Sequence, residues 1–374
     1  MLSHLDRRDF LKLGGLAAAG VAALTLPRFS WAGVKAARLD DCVSMSAQDM
    51  AERSRLVVDS MRYIDDVVAS IGNAEVRGIV AGIVKNPAPT IMESLMDEKN
   101  RRAVYEELKA AGWTELEFDK FLPPVRDAAK SPQPFLSAPG SGYGSHHCYP
   151  GGLVTHTALN LQASLAIHAG YKDVYGFDLD RDTVIASQVL HDLHKPWVFQ
   201  WEASGSSRTE QKLAGTGEHH PLSVAESVRR GLPAEICVAQ ACAHNHPGFA
   251  KDEAEVVPWL KTAAILTGVD PVRKGLLDST GTLPQPRRME GFVCHLGDHD
   301  FVLTVPAAQW LIPVMKDIAA TEYGIQGEGE SATRRFNALR NYVFSQATVM
   351  NLYALYSTKG RDALAATVRS MVTA

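Results

Sequence analysis

Ten of the chain's thirteen histidines fall between His146 and His246, in a stretch that reads as one helix after another. Apolar residues recur at helical spacing over 154–170, 182–194, 221–230, 233–245 and 257–268, punctuated by Gly151-Gly152, Gly217 and Pro247-Gly248. Each segment has a metal-ligating residue within it or at its edge. In order these are His156, the pair His191-Asp192, His219 or His220, His244 or His246, and Asp270. Neighbouring candidates lie about 24 to 35 residues apart, a spacing that lets each helix of a bundle send one group inward. Imidazole and carboxylate are ligands of first-row transition metals. The expectation is a buried metal site in an all-α, or mostly α, fold.

The rest of the chain fits that class. Helical spacing predicts helices over 46–72, 74–84, 88–111 and 114–129, then a Pro- and Gly-rich loop over 131–145. Beyond the histidine-rich region, 307–321, 331–357 and 360–372 read as helical, and 291–305 alternates like a short β-hairpin around Gly297-Asp298. The division expected is a signal at 1–32, an N-terminal helical segment at 40–145, a metal-binding core at 146–272 and a C-terminal, mostly helical extension at 273–374.

Residues 1–32 read as a targeting signal. Asp6-Arg7-Arg8-Asp9-Phe10-Leu11-Lys12 precedes an apolar run from Leu13 to Leu26, and Ser30-Trp31-Ala32 offers small residues for cleavage. The paired arginines resemble the twin-arginine signal of bacteria, which implies engagement with the twin-arginine export machinery and a periplasmic or exported protein. No other stretch reads as long and apolar enough to cross a bilayer, so no transmembrane segment is expected in the mature chain. The formal net charge of -4 leaves no basic field to mark a nucleic-acid-binding patch. Five cysteines without a CxxC pair make a poor disulfide or zinc framework and read as buried thiols.

His191 and Asp192 differ by about 100° around a helix, so they can flank one ion or a pair of ions, and Lys195 follows one turn later. With Gly151-Gly152-Leu153 before His156, the series His156, His191-Asp192, His220, His244 and Asp270 resembles the HD superfamily of metal-dependent phosphohydrolases. The resemblance covers roughly 146–272. It implies a five-helix core in which His156, His191, Asp192 and Asp270 form the mononuclear ligand set. His220 and His244 then resemble the additional ligands of dinuclear members, where the aspartate of the pair bridges the ions. His220-Pro221-Leu222-Ser223-Val224-Ala225-Glu226 is similar to the His-Pro helix start of the cyclic-dinucleotide phosphodiesterase branch, which favours His220 over the alternate His219. Two departures stand out. His194 occupies a position where glycine is common, and His244-Asn245-His246 replaces an adjacent histidine pair, leaving His246 as an alternate ligand.

The function implied is hydrolysis of a phosphate ester or phosphodiester on a small phosphorylated molecule, with hydroxide on the metal as nucleophile. One or two divalent ions (Mn, Fe, Ni or Zn) are expected; two of them about 3.5–4 Å apart would steady both oxygens of an in-line displacement. Asp192 would bridge and orient the hydroxide, and Lys195 would hold charge on a non-bridging oxygen. His147 or His194 would give a proton to the leaving oxygen. The same ligand set also belongs to diiron oxygenases of this fold that cleave C–C or C–P bonds, and to a metal-stabilised sensor without turnover. His146 and His219 read as substrate-facing, His168 as packing, and His295 and His299 as a solvated turn.

Overall fold

The computed structural model describes residues 29–374, so the twin-arginine motif and its apolar run lie outside the described residues. The N-terminal helices are α1 (Leu39–Ser44), α2 (Ala47–Arg53), α3 (Arg55–Ala69), α4 (Ala74–Lys85), α5 (Met92–Leu95) and α6 (Glu98–Ala110). The central ones are α7 (Gly152–Tyr175), α8 (Arg181–Leu190), α9 (Lys195–Val198), α10 (His219–Arg229), α11 (Ala234–Ala241) and α12 (Ala250–Thr267). The chain ends with α13 (Glu290–Gly297), α14 (Phe301–Tyr323), α15 (Glu330–Ala347) and α16 (Val349–Met371). Two minimal strand pairs complete it. β1 (Ala37–Arg38) runs parallel to β4 (Val372–Thr373), and β2 (Lys212–Leu213) antiparallel to β3 (Thr216–Gly217). The fold is mostly α-helical, as expected.

Side-chain caps set several helix starts. Ser46 and Asp49 cap α2 reciprocally, Asn73 accepts the N–H groups of Glu75 and Val76 at α4, and Asp180 accepts those of Asp182 and Thr183 at α8. Before α7, Gly151 has φ 85, and a Cβ there would come 2.5 Å from a methyl of Val57. Only glycine lets α7 lie this close to α3. A large apolar core joins these helices through Val57, Ile64, Leu161, Val189, Leu222 and Leu260. A second core gathers Leu311, Leu339, Tyr342 and Val368 with Leu39 and Cys42, so α1 packs with the C-terminal helices.

Three expectations need correction. Residues 114–129 form no helix. Phe118 and Phe121 pack their rings on Tyr105, at 5.5 and 5.2 Å, and Pro123-Pro124 supplies no backbone donors. The 291–305 hairpin is instead nearly all of α13, a turn and the start of α14. The apparent alternation arises because α13 buries Glu290, Gly291, Val293, Cys294 and Gly297, which is helical spacing. Finally, Glu290–Tyr323 is, by length and composition, apolar enough to cross a membrane, with mean hydropathy 1.2 and 33% of its most apolar window buried. It also carries two buried or half-buried aspartates into the centre described below.

Candidate metal centre

His156 lies in the second turn of α7, His191 and Asp192 follow the end of α8, and Asp298 occupies the turn between α13 and α14. His156 Nε2 and His191 Nε2 are 3.4 Å apart. Asp192 Oδ2 lies 3.2 and 3.1 Å from those nitrogens, and Asp298 Oδ1 3.1 and 3.2 Å from them. His156 Nε2, His191 Nε2 and Asp192 Oδ2 are thus mutually 3.1–3.4 Å apart, the spacing of donors that share one first-row metal at bonds of about 2 Å. All four side chains are buried.

A second group faces the other oxygen of Asp192. His219 Nε2 lies 3.3 Å and His244 Nε2 3.6 Å from Asp192 Oδ1. His220 stacks on His244 with ring centroids 3.6 Å apart, and its Nδ1 is 2.7 Å from Thr216 Oγ1. One nitrogen from each of His219, His220 and His244 falls within 4.8 Å of the others. Asp192 Oδ1 and His244 Nε2 are buried without any hydrogen bond. Buried polar atoms in that state call for a missing partner, and a cation between them would supply it. The donor set therefore fits one or two divalent metals.

The electrostatics agree. Burial works against charge on His156 and His191, but the carboxylates outweigh it. Asp300, Asp192 and Asp298 raise His156, and Asp192 and Asp298 raise His191 to about 9. Burial likewise opposes ionisation of Asp192 and Asp298, yet His191 and other neighbouring cationic groups hold both well below the usual carboxylate range. The pocket favours positive charge within it. Lys195 contributes one such charge: its Nζ lies 2.5 Å from Asp192 Oδ2 and donates to the Gly140 carbonyl at 2.5 Å.

Around the ligands stands a set of orienting groups. Asp300 Oδ1 is 3.2 Å from His156 Nδ1, and its Oδ2 is 2.6 Å from His147 Nε2. Glu210 engages Nδ1 of His219. Asn160 donates to Asp298 Oδ1 at 2.8 Å. Such outer carboxylates fix ring orientation and raise ligand basicity. His147 has φ 48, an uncommon left-handed backbone for a non-glycine residue. Its Nδ1 meets the Tyr149 hydroxyl at 3.1 Å, so neither ring nitrogen of His147 is left without a partner.

The structure brings together His156, His191, Asp192, Lys195, His219, His220 and His244, and leaves three candidates outside. Asp270 is exposed at the end of α12 and accepts the Arg273 N–H at 2.7 Å, which makes it a turn cap. Asp298 stands where Asp270 was expected. His246 is a third exposed, 3.4 Å from Asp252, because the chain has already turned away after α11. His194 is fully buried against Trp197 and 3.5 Å from Glu226. Sequence reasoning missed Asp298, Asp300, Asn160 and Glu210. The one available signal was Asp298-His299-Asp300 between two apolar runs.

Glu226 yields a pH prediction. Burial opposes its ionisation, but His194, Thr90 and Arg230 outweigh burial and hold its carboxyl down at about 2, from an ordinary 4.5. A carboxyl depressed on folding stabilises the protein above its unfolded pKa and loses that contribution as pH falls towards the folded one. The fall corresponds to about 3 kcal/mol. Urea unfolding should show wild type losing about that much relative to Glu226→Gln between pH 5 and pH 2. Parallel acid limbs for the two proteins would refute it.

No family model matches the chain, and no solved structure matches it. Two curated relatives do. The chain is 30% identical over 155 residues to the dihydroneopterin 2',3'-cyclic phosphate phosphodiesterase of Methanocaldococcus jannaschii, covering 41% of this chain and 57% of that protein. It is 31% identical over 131 residues to the 3'-5' exoribonuclease YhaM of a Geobacillus strain, covering 34% of this chain and 38% of that protein. The chain thus spans between about two fifths and three fifths of the relatives it matches.

Proposed function

We propose that the protein is a phosphodiesterase using two divalent metals to hydrolyse a small phosphorylated molecule. The observation that carries this reading is Asp192, whose two oxygens face two separate ligand groups while Lys195 rests on one of them. His156, His191 and Asp298 would hold one ion, His219, His220 and His244 the other, with Asp192 between. Ions there would lower the pKa of water and stabilise both the attacking and leaving oxygens of an in-line displacement. Hydrolysis puts the water oxygen on phosphorus, breaks a P–O ester bond and returns a proton to the leaving oxygen. Lys195 offers a fixed positive charge for a non-bridging oxygen, and its contact with Gly140 keeps the ammonium in place. Asp300 and His147 orient His156, and burial excludes bulk water. The phosphodiesterase and exoribonuclease names of the two relatives favour phosphate-ester cleavage over oxygen chemistry at the same ligands.

With Mn or Fe loaded, the protein should release product from 2',3'-cyclic nucleotides or bis(p-nitrophenyl) phosphate. Lys195→Ala should lower kcat on the order of 10²–10³-fold with metal content retained. Two equivalents of iron without hydrolysis of any phosphate ester would replace this reading with the oxygenase, and absence of bound transition metal would end both.

We also propose export by the twin-arginine route, supported by Arg7-Arg8-Asp9-Phe10-Leu11-Lys12 and the apolar run after it. Residues 1–32 fused to a folded reporter should carry it to the periplasm only when the twin-arginine translocase is present. Cytoplasmic retention, or export without that translocase, would contradict it.

A further inference from the structure

We infer that the substrate carries a planar heteroaromatic group, and that Phe301 and His299, with Phe249 further out, are the platform on which it stacks. The inference rests on the hydrolase reading above and names the substrate class for it. A continuous run of rings leads from the metal ligands to the surface. His146 lies 5.1 Å from His156 and 6.4 Å from Phe301, centroid to centroid. Phe301 lies 5.5 Å from His299 at an interplanar angle of 32°, and His299 4.3 Å from His295. His295 is 5.3 Å from His246, which is 5.8 Å from Phe249.

The two histidine rings beside Phe301, His299 and His295, are held, not merely adjacent. His299 Nδ1 donates to the His295 carbonyl at 2.6 Å, and His295 Nδ1 donates to the Ala243 carbonyl at 3.0 Å. Phe301 is 40% exposed and Phe249 72% exposed, so neither ring's apolar face is spent on the core. Exposed aromatic faces recognise flat π-systems by stacking. A bilayer would meet Leu303 and Trp310 further along α14, both more than half exposed. It could not follow the rings inward to His156, whereas a ring joined to the scissile phosphate could lie along them.

The test compares two esters with the same bond on the metal-loaded protein: adenosine 2',3'-cyclic phosphate and ribose 2',3'-cyclic phosphate. The expected kcat/KM ratio favours the ring-bearing ester on the order of tenfold or more. Phe301→Ala should bring that ratio close to one, Phe301→Trp should retain it, and Phe249→Ala should lower it less. Both phenylalanines are exposed, so melting temperatures should match wild type. A wild-type ratio near one, or a ratio that Phe301→Ala leaves unmoved, overturns the platform while the hydrolase stands. If neither ester is cut, the hydrolase reading is what has failed, and calorimetry with adenosine, guanosine and cytidine decides the platform. Binding weakened about tenfold by Phe301→Ala upholds it, and no binding overturns it. Vesicle co-sedimentation lost in Phe301→Ala, with the ratio unmoved, would assign the rings to a membrane and likewise overturn it.

Discussion

Asp192→Asn is expected to strip both ions from the protein and reduce phosphate-ester hydrolysis roughly 10³-fold or more, the loss typical of removing a group central to transition-state charge stabilisation. The geometry turns each oxygen of Asp192 towards a different ligand group. Its Oδ2 faces His156 and His191, and its Oδ1 faces His219 and His244. An amide has one acceptor oxygen and a nitrogen that donates, so it cannot serve two cations. The substitution also leaves the buried Lys195 ammonium without a counter-charge, with only the neutral oxygens of Gly140 and the new amide to accept from it. Breaking a buried ion pair on one side costs about 3–5 kcal/mol. Asp192→Asn should therefore unfold at lower urea than wild type. The double variant Asp192→Asn/Lys195→Met should recover most of that stability and none of the metal. Elemental analysis and unfolding curves read the two effects separately. A variant that kept two equivalents of metal would show that Asp192 does not join the sites.

Much of this centre was legible because helical periodicity and the order of ligands along the chain carry information together. His156, the His191-Asp192 pair, His219 or His220, and His244 all follow from reading one inward group per helix. The choice within adjacent or near pairs was not legible, since neighbouring residues differ by about 100° and only the helix's rotation decides. His219 and His220 both reach the second group. His246 does not: both it and His244 lie beyond the end of α11, and the turn there sends His244 to Asp192 and His246 to Asp252. His194 similarly follows the end of α8, and its N–H is held by Ser223 Oγ at 3.2 Å, which commits the ring to the α10 side. The last ligand was hidden for two reasons. Asp270-Pro271 follows a helix and looks like a ligand, and Asp298 lies in a segment whose alternation imitates a hairpin. What brings Asp298 inward is close packing that sequence spacing does not express. A Cβ on Gly297 would collide with the Ser164 hydroxyl, so only glycine allows α13 to close on α7 and α8.

That contrast sets up the second large effect, a pair of substitutions with opposite outcomes. Asp298→Asn should weaken binding of the ion at His156 and His191 by at least about 100-fold, since even groups outside the ligand shell commonly contribute 10–100-fold. Asp298 Oδ1 lies 3.1 and 3.2 Å from the Nε2 atoms of His156 and His191, and Oδ2 lies 3.3 Å from His244 Nδ1. One carboxylate thus touches ligands of both groups, and its loss should reach the second ion through the orientation of His244. Asp270→Asn should leave metal content, affinity and turnover at wild-type values, because Asp270 only caps an exposed turn. Its cost should be confined to the roughly 1 kcal/mol typical of a lost cap. Titration of the apo protein with Mn or Zn, followed by calorimetry, separates the two variants directly. Metal loss in Asp270→Asn with retention in Asp298→Asn would mean that α12, not the α13–α14 turn, closes the site. The packing that places Asp298 between α7 and α8 would then be wrong.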